Sequence, residues 1–398
     1  MNLLQNRGRF GLNILFSGAV FHPEWKGGEP VVGKELIKFL SERHTCRISK
    51  SLPYTIDKAR SILRFLEKDN FFFSGIVNRS EIDSADIVLS FYDFDCSIIW
   101  QCIERKIPII STQHVYWGLC PKWDFWNNVL NCSCSKIEPY SRDCKKCLSK
   151  QGTLGPQVVS SLFSTGLISG LRNSRKLCFS RCDAILVPSN YMARLYKKEL
   201  GKVDIRVVHN GIDTQFYKPM PKSSQGRKKR ILYAGARTYT KGYHHFVKLA
   251  SEITTMRNDV EFVAFGYGKS SARSYVKDLG YLSESDVRQT YSDSYLLVFP
   301  SLWDEPFGLV PLESMACGCP VVAYGSGGVP ETVVNGLNGR LVLTGDYSQL
   351  LQTTLDLIDN ESENNRMRKY SREYIVKNFS LWQMLDSYER TLFEFAKA

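Results

Sequence analysis

The chain has 398 residues, 43% of them apolar and 23% charged, which excludes a disordered or fibrous class. That length exceeds one ordinary core and suits two domains of somewhat under about 200 residues each, with a cleft between them. A formal charge of +12 favours phosphate-bearing partners without choosing among nucleic acid, anionic lipid and sugar nucleotide.

In chain order, the opening residues carry Arg7 and Arg9 but no long apolar core before a small-residue cleavage site, so no secretory leader is expected and the chain reads as cytoplasmic. No apolar run approaches the roughly 18–20 residues that cross a bilayer. Residues 12–16 read as a strand, followed by a loop with Pro23, Gly27 and Gly28, and then by Val32, Leu36, Phe39 and Leu40 at helical spacing. Further strand-like runs at 87–89, 107–111 and 184–187 are separated by stretches long enough to return over the sheet as helices, which predicts a parallel, doubly wound first half. Residues 191–200 read as a helix and 203–209 as a short strand running into Asn210 and Gly211, where the domain junction is placed.

A polar, basic stretch at 219–230 precedes a second series, with strands at 231–234, 261–265, 296–300 and 320–324 and helices at 244–253, 286–291, 309–317 and 347–358. Beyond residue 370 the pattern stays helical to the end, with Trp382, Leu385, Tyr388 and Leu392 along one face. The expected organisation is therefore an α/β chain with a first Rossmann-like domain at 1–200, interrupted by a cysteine-rich insertion at about 117–150. A second such domain follows at 201–375, and a terminal helix at 376–398 packs back across the junction.

The most informative stretch is PSLWDEPFGLVPLESMACGCPVVAYGSGGVPE at residues 300–331. Glu305 follows a strand, Phe307 and Gly308 open a helix, and Glu313 lies within that helix. Ligands bind such sheets beyond the strand ends, where free helix-start amides suit an anion or sugar hydroxyls and ionised carboxylates accept hydrogen bonds from diols. Spacing alone leaves the plain alternative of two solvated helix carboxylates. The long pattern, two glutamates flanking PFGLVPL with ACGCPVVA and GGVPE after, resembles the family 4 retaining glycosyltransferases of GT-B fold, and the resemblance extends over nearly the whole chain.

That resemblance implies that Glu305 faces the donor sugar, Glu313 holds the ribose, and the backbone of Phe307, Gly308 and Leu309 binds sugar hydroxyls and phosphate. Asn210 begins a segment similar to the family's NGID turn. Gly235, Arg237 and Lys241 resemble its phosphate loop, with Lys241 as the phosphate lysine; the usual arginine position holds Ala236, and Arg237 comes one later. Gly266 resembles a glycine turn near the donor, Gly27 and Gly28 a loop closing towards the phosphates, and His114 a histidine near the donor sugar. The implied reaction moves a sugar from a nucleoside diphosphate to an acceptor hydroxyl with retention, no catalytic metal and no protein nucleophile.

Twelve cysteines occur, and Cys120, Cys132, Cys134, Cys144 and Cys147 fall in the insertion. The C-x2-C pair Cys144 and Cys147 suits two thiolates on a zinc ion, with two of the others completing a structural site; a disulfide pair and simple thiols stand as alternatives. Trp117, Trp123, Trp126 and Arg172 would suit a lipid-linked saccharide acceptor at the inner face of an anionic membrane. Two other readings compete: a transferase-like binding subunit without activity, which Ala236 keeps open, and a basic nucleic-acid-binding protein, which leaves Glu305 and Glu313 unexplained and is not the expected one.

Overall fold

The computed structural model describes residues 11–18, 28–49, 79–91, 97–116, 118–120, 124–136, 144, 146–147, 173, 175–223, 228–268 and 274–396. Among them are two six-stranded parallel sheets and a two-stranded hairpin. The first sheet has the order β2-β1-β3-β4-β7-β8, from β1 (Asn13–Ser17), β2 (Thr45–Ile48), β3 (Ile87–Phe91), β4 (Ile109–Thr112), β7 (Ala184–Val187) and β8 (Asp204–Val207). The second runs β11-β10-β9-β12-β13-β14, from β9 (Lys229–Ala234), β10 (Val260–Phe265), β11 (Val276–Asp278), β12 (Leu296–Phe299), β13 (Val321–Tyr324) and β14 (Gly339–Val342). The hairpin strands β5 (Trp126–Asn127) and β6 (Cys132–Ser133) lie in the insertion.

Central strands such as β3, β7 and β12 are buried along their whole length, because helices cover both faces of each sheet, and this is why they read as unbroken apolar runs. In the second sheet β9 lies between β10 and β12, so the order reverses there. The loops after β9 and β12 open into the crevice that such a reversal creates. In the first sheet β4 ends at Thr112 and hands the chain directly to His114.

Local signals fix the helices around these loops. Helix Asn190–Leu200 starts at Ser189, whose hydroxyl accepts from the Met192 amide, and stops at Gly201, which adopts φ 76°. Ser283 and Asp346 cap helices Glu284–Asp293 and Tyr347–Asp359 in the same way.

The end of the chain is two helices, Glu361–Asn378 and Leu381–Ala396, where the sequence suggested one. The break falls where Ile212 and Leu381 meet: the Ile212 amide donates to Phe379 O at 3.0 Å and the Leu381 amide to Ile212 O at 2.8 Å. A Cβ on Gly211 would stand 2.4 Å from Ser380 O, which explains the glycine at this crossing. The first of the two helices gives Met367 and Ile375 to the cores of the second sheet, whereas the second gives Met384, Leu385, Tyr388 and Leu392 to the core of the first. Trp382 departs from the expected face and is 58% exposed. Among the described residues no helix is long and apolar enough to cross a membrane.

Candidate active site

Two loops of the second sheet are stapled together. The Leu302 and Trp303 amides donate to Thr240 O at 2.8 and 3.0 Å. Gly242, at φ 68°, presses so closely on Pro300 O that a Cβ would lie 1.7 Å away. This places the Lys241 ammonium 2.7 and 2.9 Å from the two oxygens of Glu305, and 4.1 Å from the centre of the Trp303 ring. Glu305 is only 5% exposed, so its charge needs this partner. The Gly327-Gly328 pair supports it from behind: the Gly328 amide donates to Glu305 O at 2.7 Å, and a Cβ on Gly327 would stand 2.3 Å from that oxygen.

Gly308, at φ 96°, starts helix Leu309–Ala316 without a capping side chain, so the first-turn amides are presented to the crevice as an anion-seeking helix end. Phe307 turns inward and stacks on His209 at 5.4 Å. One turn into the helix, Glu313 accepts a hydrogen bond from the Tyr291 hydroxyl at 3.0 Å. Burial pushes its carboxyl up to about 7, against the hydroxyls of Tyr291 and Tyr217, which pull it down.

Arg237 does not join Lys241. Its side chain is buried, its guanidinium is paired with Asp278, and it donates to Gly266 O at 2.6 Å. Gly266, at φ 130°, packs against Gly235 O, while a Cβ on Gly235 would meet nothing within 4 Å, so Gly235 faces open space. The position one residue after the usual arginine therefore serves the β10–β11 side of the loop, a consequence of its direction from the backbone that spacing could not reveal.

On the facing side, His114 is buried and stacked on Phe91 at 6.1 Å. Its Nε2 is 3.2 Å from both Thr112 Oγ1 and the Tyr388 hydroxyl. Burial lowers its pKa to about 4, with the neighbouring Asn210 side chain opposing the effect, so it is neutral near pH 7. Tyr388, which the sequence placed on an apolar stripe, thus brings the terminal helix to this histidine. Gly27 lies outside the described residues, and Gly28 opens helix Gly28–Ser41.

Two carboxylates that received no role from the sequence, Asp304 and Glu331, reach across to the first domain. Glu331 accepts from the Asn190 and Tyr191 amides at 2.9 and 2.8 Å, and lies 3.2 Å from His209. Burial raises its carboxyl, but His209 and these amides outweigh burial and hold it below the usual range. Glu331 closes the GGVPE segment, which was the only signal of it.

In the insertion, the hydrogen-bonded Cys120 thiol pushes the Cys134 thiol far up, with burial, Cys144 and Cys147 adding to the effect. The Asn128 amide donates to Cys147 Sγ at 3.3 Å. Cys132 pairs with Asn127 across the hairpin and is partly exposed. Among the described residues no group of three or more His, Cys, Asp or Glu is arranged to hold a metal ion. Trp117, Trp123 and Arg172 lie outside the described residues, and Trp126 is buried at 3% exposure, so it offers no surface to a membrane.

Comparison with known proteins agrees with this architecture. HepE of Anabaena, solved in complex with UDP, superposes with a TM-score of 0.67 at 15% identity over 96% of this chain and 100% of that one. Sucrose-phosphate synthase of Thermosynechococcus elongatus does so with a TM-score of 0.70 at 18% identity over 97% and 100%. Spore coat protein SA of Bacillus subtilis is 25% identical over 54% of this chain and 67% of its own length. A GDP-mannose-dependent mannosyltransferase of Corynebacterium glutamicum, named for a monoacylated phosphatidylinositol monomannoside, is 24% identical over 55% of this chain and 64% of its own. Residues 40–216 match the family described as Glycosyltransferase Family 4 and residues 218–374 the one described as Glycosyl transferases group 1. With both halves matched and the two parallel sheets in place, the chain belongs to the family 4, group 1 glycosyltransferases of GT-B fold.

Proposed function

We propose that the protein transfers a sugar from a nucleoside diphosphate sugar to an acceptor hydroxyl with retention of configuration, in the assembly of a glycan or cell-surface polysaccharide. The observation that carries this reading is the Lys241–Glu305 pair, 2.7 Å apart at the crevice of the second sheet, beside the uncapped helix start at Gly308. As the diphosphate departs, its growing negative charge is met by Lys241 and the amides of Leu309 and its neighbours. Glu305, relieved of part of its pairing, accepts hydrogen bonds from sugar hydroxyls, and Glu313 accepts those of the ribose. His114 of the first domain and Asn210 at the junction border the sugar, and Gly235, packed on Gly266 and facing open space, leaves room for the phosphates. The reaction needs no protein nucleophile: the acceptor attacks from the leaving-group side and a phosphate oxygen takes its proton.

UDP is the first nucleotide to try, because HepE was solved with it; GDP and ADP complete the set. A ligand at about a hundred times its dissociation constant adds roughly 2.7 kcal/mol to stability. One nucleotide should raise the melting temperature, and Lys241→Ala and Glu313→Ala should each weaken the effect. No shift with any of the three in folded protein would defeat the donor-site reading; a shift without turnover towards a panel of saccharides would favour the binding subunit.

A lipid-linked acceptor at a membrane surface has support from the net charge of +12 and from the lipid acceptor in the Corynebacterium relative's name. Co-sedimentation with anionic but not neutral vesicles tests it. For the cysteines we propose a structural zinc held by Cys120, Cys134, Cys144 and Cys147: the spacing of Cys144 and Cys147 suits one ion, and the other three thiols act on Cys134, which a divalent cation would convert to a thiolate ligand. Metal analysis should find one zinc per chain; its absence, with the four thiols titrating, would leave a plain thiol cluster.

A further inference from the structure

The cysteine-rich insertion is bound to the donor loop at two adjacent residues, Trp303 and Asp304, and Asp304 carries most of the contacts. Its Oδ2 accepts hydrogen bonds from Ser133, from the Ser135 hydroxyl at 2.5 Å and from the Tyr191 hydroxyl at 2.6 Å. Its backbone carbonyl accepts from the Tyr116 hydroxyl at 2.6 Å. All four donors belong to the first domain: one on the insertion's hairpin, one on the 3-10 turn that follows it, one on helix Asn190–Leu200 and one just beyond His114. The preceding residue is held from the same side, since the Trp303 indole donates to Asp124 O and its ring meets Tyr116 edge-on at 6.0 Å. That ring also lies against the Lys241 ammonium. The residue after Asp304 is Glu305.

A carboxylate with three hydroxyl donors on one oxygen is fixed in direction as well as place, and it is almost fully removed from water at 6% exposure. Such an arrangement is costly to leave half made. It sits where the insertion, the first domain and the donor loop meet.

We propose that Asp304 is a positioning residue through which the cysteine-rich insertion sets the Trp303–Glu305 segment, and with it the Lys241–Glu305 pair, for binding the diphosphate. The insertion is then a working part of the donor site. This rests on the reading of Lys241 as the phosphate contact, and it makes a claim that a merely structural role does not. Loosening Asp304 should harm the diphosphate end of a nucleotide and spare the ribose end, which Glu313 holds.

The test compares Asp304→Asn and the milder double variant Ser135→Ala/Tyr191→Phe with the wild type, well below their melting temperatures. Affinities for UDP and UMP, or for the diphosphate and monophosphate of whichever base binds, are measured by calorimetry, and amide exchange of residues 303–309 by mass spectrometry. The expected result is at least a fivefold fall in the ratio of diphosphate to monophosphate affinity, with faster exchange confined to that segment. Unchanged ratio and unchanged exchange in both variants would overturn the proposal, as would an equal loss for both nucleotides. If no nucleotide binds the wild type, the donor-site reading fails by itself, and the exchange comparison alone decides whether Asp304 holds the segment.

Discussion

Lowering the pH from 8 to 6 should weaken nucleotide binding about tenfold through Glu313 alone. Burial pushes this carboxyl up to about 7. As a carboxylate it can accept from both hydroxyls of a ribose, whereas the protonated acid gives up an acceptor position to its own proton. With a midpoint near 7, roughly nine molecules in ten are competent at pH 8 and one in ten at pH 6, a difference of about 1.4 kcal/mol. The terminal phosphate of the ligand also titrates, near a pH of about 6, so the quantity to follow is the ratio of wild-type to Glu313→Gln affinity, by calorimetry at pH 6, 7 and 8. That ratio should fall about tenfold from pH 8 to pH 6, and a constant ratio would refute the reasoning. Removing the Tyr291 or Tyr217 hydroxyl takes away a bond that favours the carboxylate, so Phe at either position should move the midpoint to higher pH. The sign for stability is opposite to that of an ordinary paired carboxylate. The folded value lies above the ordinary 4.5, so ionising Glu313 costs the ligand-free protein stability as pH rises from 4.5 through 7.

Lys241→Met should destabilise the protein by about 2 kcal/mol by leaving Glu305 unpaired, less than the roughly 3–5 of a fully buried pair because 27% of the lysine side chain faces solvent; adding Glu305→Gln should recover part of the loss in a denaturant double-mutant cycle. His114, held at about 4, binds a proton more readily when unfolded, so its contribution to stability is complete above pH 6.5 and is lost as pH falls towards 4; melting temperatures between pH 7 and 5 should fall more steeply in the wild type than in His114→Asn. Leu392→Ala, in the core of the first sheet at 0% exposure, should cost about 2–5 kcal/mol and expose the first domain to protease before the second.

The fold was readable because both sheets are parallel and covered on both faces, so their inner strands are continuous apolar words: β7 is Ala184–Val187, the very run picked out of the sequence. What escaped notice lies at the edges. Strand β2 is half exposed and half polar, β11 has three residues, and β14 begins with glycine, so none offers a pattern to one sequence alone. The terminal helix was misjudged because its break at Phe379 and Ser380 is set by Ile212, more than 160 residues earlier.

The site divides along the same line. Glu305, Glu313 and Lys241 stand in a long local motif or at a recognisable spacing from a glycine. That Lys241 closes on Glu305 depends on two loops stapled through Thr240, 62 and 63 residues before the amides they hold. Arg237 turns away because Asp278 waits for it on another strand, and nothing near Arg237 in sequence announces that. Asp304 had a local hint, its place beside Glu305, but its partners are serine and tyrosine hydroxyls scattered over the first domain, residue types that carry no signal of their own.

The crossing of the terminal helix has a consequence for how the protein is made. Thr112 hydrogen-bonds to Tyr388 across 276 residues of chain, so the half that leaves the ribosome first lacks part of its own interior until that distant helix has been synthesised. At about 5–20 residues per second, that wait is on the order of 10–60 s. During it the first sheet presents an apolar face open to chaperones or to other nascent chains. A fragment ending at the basic stretch 219–230 should therefore be poorly behaved by itself and be rescued by a separate peptide spanning residues 381–396, making this helix the step that completes the first half.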